Sequence, residues 1–418
     1  MSWHKILLGD VIKTRKGFAF KSSKYVNSGV PVVRVSDFTL DSITNEDLKY
    51  YPIEEKSNYL EYELNEKDII IQTVGSWQNN PQSVVGKVVR VPYYLSGALL
   101  NQNAVKLIPN NNFLFYILKT NAFQGHVLGE ARGAANQASI TLDTIKSFEF
   151  IAPEYEIQKR ISGALSAYDD LIQNNQKQIK LLEEAAQRLY KEWFIDLRFP
   201  GHENVEIVEG VPRGWSRKSV LDCLETYIGG GWGKESITSK NTIAGKVIRG
   251  TDINDIKSGM YTGIPLRYHT ENDKKKRTLK KNDIVFELSN GNIDNIGRSL
   301  LIDELILNNC GENTICASFC KLFRPLDRIH SVLLYLEILD MHSSGRMLPY
   351  KKQGSNGINN FAFEEFLSHE LLIPSDHKLV ERIDTIISKI MIARSQLALL
   401  KEARDRLLPK LMSGEIEV

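Results

Sequence analysis

Cysteine is scarce in this chain. Cys223, Cys310, Cys316 and Cys320 are four in 418 residues, too few for a disulfide framework to organise that length. No run approaches the roughly 18 apolar residues of a membrane-spanning helix, and the opening MSWHKILLGD lacks the apolar core of a signal peptide. An excess of one charge is missing too. Lys plus Arg number 53 against 51 Asp plus Glu, a formal +2, which permits a nucleic-acid partner without announcing one. With 42% hydrophobic and 25% charged residues, the composition excludes disorder and fibres and fits two or three globular domains. A cytoplasmic protein is expected.

Catalytic signatures are also lacking. Gly229-Gly230-Gly231-Trp232-Gly233-Lys234 resembles a phosphate loop, but Ile228 stands where the first glycine belongs. Glu235 follows the lysine and supplies no magnesium-binding hydroxyl. Leu300-Leu301-Ile302-Asp303-Glu304 ends like an ATPase strand, yet has no phosphate loop to serve. Neither half carries the Asn/Asp-Pro-Pro-aromatic motif of amino-methyltransferases. Cys316 and Cys320 have three residues between them rather than two, with no matching Cys/His pair, and read as buried thiols rather than a zinc site. The eight histidines are scattered. No enzyme, cofactor or metal is expected.

What the chain does have is an internal repeat, and this decides the architecture. Val32-Val33-Arg34-Val35-Ser36-Asp37-Phe38 is echoed by Val247-Ile248-Arg249-Gly250-Thr251-Asp252-Ile253. Residues 64–71 (LNEKDIII) are echoed by 279–286 (LKKNDIVF). Val85-Gly86-Lys87 answers Ile296-Gly297-Arg298, and Ile151-Ala152-Pro153 answers Leu372-Ile373-Pro374. All offsets lie close to half the chain and keep one order. One long unit is present twice.

Each unit opens with short apolar runs punctuated by Gly, Asn and Pro, as strands and turns require, with short helical stretches at 113–119 and 331–339. An α+β head is expected from each, over 1–152 and 201–372. A long helix follows each head, within 153–200 and 373–418. Ile161, Leu165, Tyr168, Ile172, Asn175, Ile179, Leu182, Ala186, Leu189 and Trp193 advance by fours and threes, a heptad seam. Ile383, Ile386, Ile390, Ala393, Leu397 and Leu400 hold the same rhythm. Pro153 and Pro374 suit helix entry, Pro200-Gly201 closes the first helix, and Pro409 predicts a stop or kink in the second. So narrow a seam predicts that the helices pair with each other, antiparallel, between heads related by a pseudo-two-fold axis.

Two similar heads on rigid spacers suit a DNA duplex with separated half-sites. Lys13, Arg15, Lys16, Lys21 and Lys24, interleaved with Phe18 and Phe20, form a basic stretch in the first head. Lys274, Lys275, Lys276 and Arg277 form one in the second. Such groups neutralise phosphates. Amide-rich loops suit base edges, since Asn and Gln pair bidentately with adenine and Arg with guanine. The candidates are Gln72, Trp77, Gln78, Asn79 and Asn80, answered by Asn290 and Asn292. Arg132, Asn136 and Gln137 align loosely with Lys351, Lys352, Gln353, Ser355 and Asn356, and Arg346 lies just upstream.

At its junctions the chain resembles a specificity subunit of type I restriction–modification enzymes. The resemblance rests on Phe150-Ile151-Ala152-Pro153 with Glu156-Ile157-Gln158-Lys159-Arg160-Ile161, and on Leu189-Tyr190-Lys191-Glu192-Trp193-Phe194-Ile195-Asp196. Val211-Pro212-Arg213-Gly214-Trp215 is similar to the family's entry to its second head. Arg406-Leu407-Leu408-Pro409-Lys410-Leu411-Met412-Ser413-Gly414-Glu415-Ile416 is similar to its ending. The second helix entry departs: His377-Lys378-Leu379 stands where the first has Glu156-Ile157-Gln158.

The resemblance implies two target-recognition domains reading a bipartite, asymmetric site in double-stranded DNA. It also implies modification subunits that dock on the helical regions and methylate adenine with S-adenosylmethionine, and ATP-driven restriction subunits recruited by them. The alternatives are the recognition subunit of a related system without a motor subunit, or a coiled-coil adaptor whose heads bind protein. Salt-dependent binding to DNA carrying the bipartite site separates recognition from the adaptor.

Two outcomes are expected from the sequence. The isolated chain incorporates no labelled methyl groups into DNA and does not cut it; incorporation free of contaminating methyltransferase contradicts this. Inserting four residues between Ile172 and Ile179 lengthens that helix by about 6 Å, or one to two base pairs at about 3.4 Å each. The variant's methylated motif should keep both half-sites and gain one or two unread base pairs. An unchanged spacer with full activity means the helix is no ruler.

Overall fold

The computed structural model describes residues 3–39, 42–44, 48–77, 83–134, 137–354 and 357–418. The chain divides into two compact units, Met1–Gln173 with Glu402–Val418, and Asn174–Lys401. No helix among the described residues is long and apolar enough to cross a membrane.

In the first unit the apolar run forms the strand Ile69–Gln72, buried at every position. That is how a continuous β-branched run behaves when both faces of a sheet are covered. It lies inside an antiparallel sheet ordered Ile12–Lys16, Ala104–Pro109, Ile69–Gln72, Val88–Arg90. Ile69 and Ile71 pack into one core with Leu107 and Phe113, while Ile70 packs on the other face with Val33 and Leu100. A second sheet runs Lys49–Tyr51, Val30–Val33, Leu99–Leu100. A third runs Arg132–Ala134, Gln137–Ser139, Val74–Gly75, and Trp3–Leu7 pairs with Glu149–Pro153.

The second unit has the same four strand orders. They are Leu224–Gly229, Cys320–Pro325, Ile284–Glu287, Ser299–Leu301; then Leu266–His269, Ile243–Ile248, Ile315–Cys316; then Lys351–Lys352, Asn359–Phe361, Ser289–Asn290; and Trp215–Ser219 with Glu370–Pro374. It adds the small hairpin Ile207–Val208 with Val211–Pro212.

The sequence echoes are the residues that close its turns. Asp68 and Asp283 each accept the backbone N–H three residues earlier, from Asn65 at 2.7 Å and Lys280 at 2.6 Å. This holds Lys67 and Asn282 left-handed, at φ 66° and 73°, a conformation Asn tolerates and Lys adopts rarely. Asp37 and Asp252 cap short 3-10 turns and pair with Arg34 at 2.7 Å and Arg249 at 2.6 Å.

The long helices span Tyr155–Tyr190 and Lys378–Ser413, 36 residues each, and the first ends in a π-helical turn, Lys191–Ile195. The helix does not stop at Pro409 but continues to Ser413. Pro409 removes one backbone bond, but Leu407, Leu408, Leu411 and Met412 anchor that turn in the first unit's core. The short helices are Phe113–Leu118 and, longer than expected, Arg328–Ser344.

Along the first helix Ile161, Leu165, Ile172 and Ile179 are buried, while Tyr168, Leu182 and Leu189 are half-buried. Along the second, Ile383, Ile390 and Leu397 are buried, with Ile386 and Leu400 half-buried. Its buried stripe reads Ile383, Ile387, Ile390, Ala393, Arg394, Leu397, Lys401, so two basic side chains occupy it beside the expected Ala393. Arg394 meets Glu183 at 2.5 Å, and Lys401 donates to the Ser258 carbonyl at 3.0 Å. In the first unit Asp169 accepts from Tyr116 at 2.6 Å, Arg90 at 3.1 Å and Arg404 at 3.3 Å.

Candidate nucleic-acid interface

The hairpin sheet, built on Arg132–Ala134 with Gln137–Ser139 in the first unit and on Lys351–Lys352 with Asn359–Phe361 in the second, is where sequence-selected residues converge. In the first, Arg132 and Gln137 lie on facing strands and are exposed. In the second, Lys351 and Lys352 lie on the matching strand, with exposed Gln353 after them. Lys352 pairs loosely with Glu365 at 3.7 Å. Lys351 is half-buried and donates to the Asp294 carbonyl at 3.3 Å. Burial outweighs the nearby Asp294 charge and holds its ammonium below the usual lysine range. The loose sequence alignment of these two segments thus corresponds to one topological position. Gln78, Asn79, Asn80, Asn136, Ser355 and Asn356 lie outside the described residues.

Other candidates are held inside the fold. Gln72 is buried, and its amide donates to the Ser83 carbonyl at 2.8 Å. Trp77 is half-buried against the core. Asn290 donates to buried Glu287 at 2.7 Å and accepts from the Asn292 N–H. Asn292 is exposed and caps the turn Ile293–Asn295. These amides stabilise backbone that an apolar residue would leave unpaired, a use of Asn that composition does not distinguish from base reading.

The basic stretches divide likewise. Lys13, Arg15, Lys16 and Lys21 are exposed on and after the edge strand Ile12–Lys16, with Arg15 donating to the Glu61 carbonyl at 2.7 Å. Lys24 is paired with Glu55 at 2.8 Å. Phe18 and Phe20 are not interleaved on the surface: they pack with Tyr51, Tyr59 and Tyr62. Lys274, Lys275 and Lys276 are exposed in the last turn of Glu271–Arg277, where carbonyl dipoles favour cations. Arg277 turns inward to Asp273 and the Gly229 carbonyl.

Arg346 belongs to a buried cluster that sequence reasoning missed. Glu337, 2% exposed, accepts from Tyr190 at 2.7 Å, Arg346 at 3.0 Å and His369 at 2.7 Å. Arg346 also grips Asp340 at 2.6 Å. Burial pushes the Glu337 carboxyl up, but the His369 and Arg346 hydrogen bonds and the Arg346 charge outweigh it and hold it below the usual range. The signal was Glu337 and Asp340 within the otherwise apolar stretch 332–341, since unpaired carboxylates are seldom buried.

No group of three or more His, Cys, Asp or Glu among the described residues is arranged to hold a metal. Burial pushes the thiols of Cys223 and Cys316 up to about 12 and that of Cys310 to about 11, so these cysteines are poor nucleophiles.

Comparison with known proteins shows what the chain is similar to. Residues 2–184 match the family model described as Type I restriction modification DNA specificity domain. The chain is 26% identical over 343 residues to the type I restriction enzyme MjaIX specificity subunit of Methanocaldococcus jannaschii, covering 76% of this chain and 73% of that protein. A second relative, the type I restriction enzyme HindI specificity subunit of Haemophilus influenzae, is 29% identical over 118 residues, 27% of this chain and 26% of that one. In fold, the chain is similar to the crystal structure of the type I restriction–modification system S subunit from M. genitalium, with TM-score 0.52, 14% identity, and 98% and 96% of the two chains covered. The chain thus resembles the specificity subunits of type I restriction–modification enzymes, which are non-catalytic.

Removing Arg346 tests which role it has. Arg346→Ala leaves the buried carboxylates short of their cation and should lower unfolding stability by on the order of 3 kcal/mol, measured by denaturant titration. Because the Glu337 pKa is depressed in the fold, its stabilisation is present above the unfolded carboxyl's pKa. It is lost as pH falls through the folded value, so the difference between parent and variant should shrink in acid. A variant as stable as the parent but weaker in DNA binding would return Arg346 to the interface.

Proposed function

We propose that the chain reads a bipartite, asymmetric sequence in double-stranded DNA and directs adenine methylation and restriction by partner subunits in the cytoplasm. The two heads, over 1–152 and 201–372, act as target-recognition domains. The helical segments 153–200 and 373–418 carry the modification subunits, which bring S-adenosylmethionine, and through them the restriction subunits.

One observation carries this reading. The two hairpin sheets share a strand order yet expose different polar side chains, Arg132 and Gln137 on one, Lys352 and Gln353 on the other. Phosphate contacts supply affinity without sequence, whereas base-edge contacts depend on the side chain presented. One scaffold with two sets of side chains therefore suits two unlike half-sites. Sequencing the methylome of the host with and without this gene tests the reading directly: a bipartite adenine motif should vanish with the gene.

For the hairpin, Lys352→Ala should weaken DNA binding across all sequences and lower the slope of log affinity against log salt by about one. Unchanged affinity and slope would remove Lys352 from the interface.

A further inference from the structure

We propose that a three-residue turn at the end of each central sheet reads bases: Asn101-Gln102-Asn103 in the first head and Ala317-Ser318-Phe319 in the second. The inference rests on the DNA-reading role above and names residues that determine the target.

The turns are equivalent by register. Ala104 pairs with Gln72 on the central strand of the first head, and Cys320 pairs with Glu287 in the second. The three residues before Ala104 and before Cys320 therefore occupy one place. Their backbones are held by the same hydrogen bonds. Asn101 N–H donates to Val33 at 2.9 Å, as Ala317 does to Ile248 at 2.8 Å. The Asn101 carbonyl accepts from Ala104 at 3.1 Å, and the Ala317 carbonyl from Cys320 at 2.8 Å. The Asn103 carbonyl accepts from Thr73 at 2.9 Å, and the Phe319 carbonyl from Leu288 at 2.8 Å.

A glycine closes each turn from outside. Gly17 N–H donates to the Ala104 carbonyl at 3.0 Å, and Gly230 N–H to the Cys320 carbonyl at 2.9 Å. A Cβ on Gly17 would overlap the Asn101 carbonyl oxygen, and one on Gly230 would overlap the Ala317 carbonyl oxygen. The glycine-rich stretch that imitates a phosphate loop in sequence is explained here by this close approach.

The turn also adjoins the hairpin. Thr73 donates its N–H to the turn and its carbonyl accepts Ile140 N–H at 2.9 Å; Leu288 likewise donates to the turn and accepts Phe361 N–H at 2.9 Å. One residue in each head thus joins turn to hairpin sheet.

On these matched frames the side chains diverge completely. Gln102 is exposed, and its amide makes no hydrogen bond to the described residues. Its counterpart is Ser318, followed by Phe319, a phenylalanine 58% exposed on a fixed backbone. A rigid turn offering an unengaged amide suits the donor–acceptor pair of adenine in the major groove. A rigid turn offering an aromatic ring suits the thymine methyl group or a base face.

The test uses the full chain with its modification subunits, expressed in the host, with methylomes read for each variant. Gln102→Ala should relax one base pair in one half-site by about tenfold or more and leave the other half-site intact. Phe319→Ser should relax one position in the other half-site alone. Gln102→Glu, nearly isosteric and exposed, should shift preference at its position from adenine toward cytosine, whose amino group a carboxylate accepts. Unchanged motifs in all three, with Lys352→Ala still weakening DNA binding, overturn the turn's role and leave DNA reading by the heads standing. Unchanged DNA binding in turn and hairpin variants together overturns both. Relaxation of both half-sites by a single variant also overturns the assignment.

Discussion

Buried backbone N–H and C=O groups must find partners, and leaving one unpaired costs more than a typical contact contributes. The end of each central sheet is organised by that constraint. A strand, an entry loop, a tight turn and a hairpin meet there, and each satisfies groups that another leaves open. Gly17 and Gly230 are required because only a residue without a side chain approaches the turn closely enough to donate. Exposed side chains on this lattice change freely, since main-chain bonds hold it, joined in the first head by Thr73 Oγ1, which donates to the Asn103 carbonyl at 2.9 Å. A recognition protein needs that separation: the scaffold stays constant while the surface it presents varies.

The same economy shows in the cores. Neither an α+β head nor a single amphipathic helix buries its apolar face alone. In the first unit Ile161, Leu165 and Leu411 complete a core that also holds Phe113 and Phe123. In the second, Ala186, Tyr190, Ile383 and Ile387 complete the core around Phe286 and Phe323. Parts of both long helices are therefore structural members of each unit. A substitution in the helical stripe acts on the head it supports.

Charge pairs with at least one partly buried member sharpen these joints. Asp169, held by Tyr116, Arg90 and Arg404, and Glu183, held by Arg394, each tolerate one alignment of helix and neighbour. Glu337 does the same for the end of the first helix through Tyr190. Such groups add little net stability relative to apolar packing, but breaking one partnership is costly. They distinguish one register from its neighbours in a way that isoleucines and leucines do not.

The sequence alone determined the family resemblance, the repeat, the helical stripes and the buried central strands, because these depend on local periodicity and on turn chemistry. Asp68, Asp283, Arg34 and Arg249 were legible as echoes since each closes a turn with residues three apart. The placement of polar side chains was not legible. Gln72, Asn290, Arg346 and Arg277 have the composition of DNA contacts, yet they face inward because residues distant in the chain supply their partners. Arg394 is buried beside Ala393, and Lys401 is buried where the heptad rhythm assigns Leu400. Gln102 and Phe319 went unremarked because no local pattern marks a turn whose backbone is satisfied by three other segments. Which polar groups remain for a ligand was decided only when the tertiary fold had paired the rest.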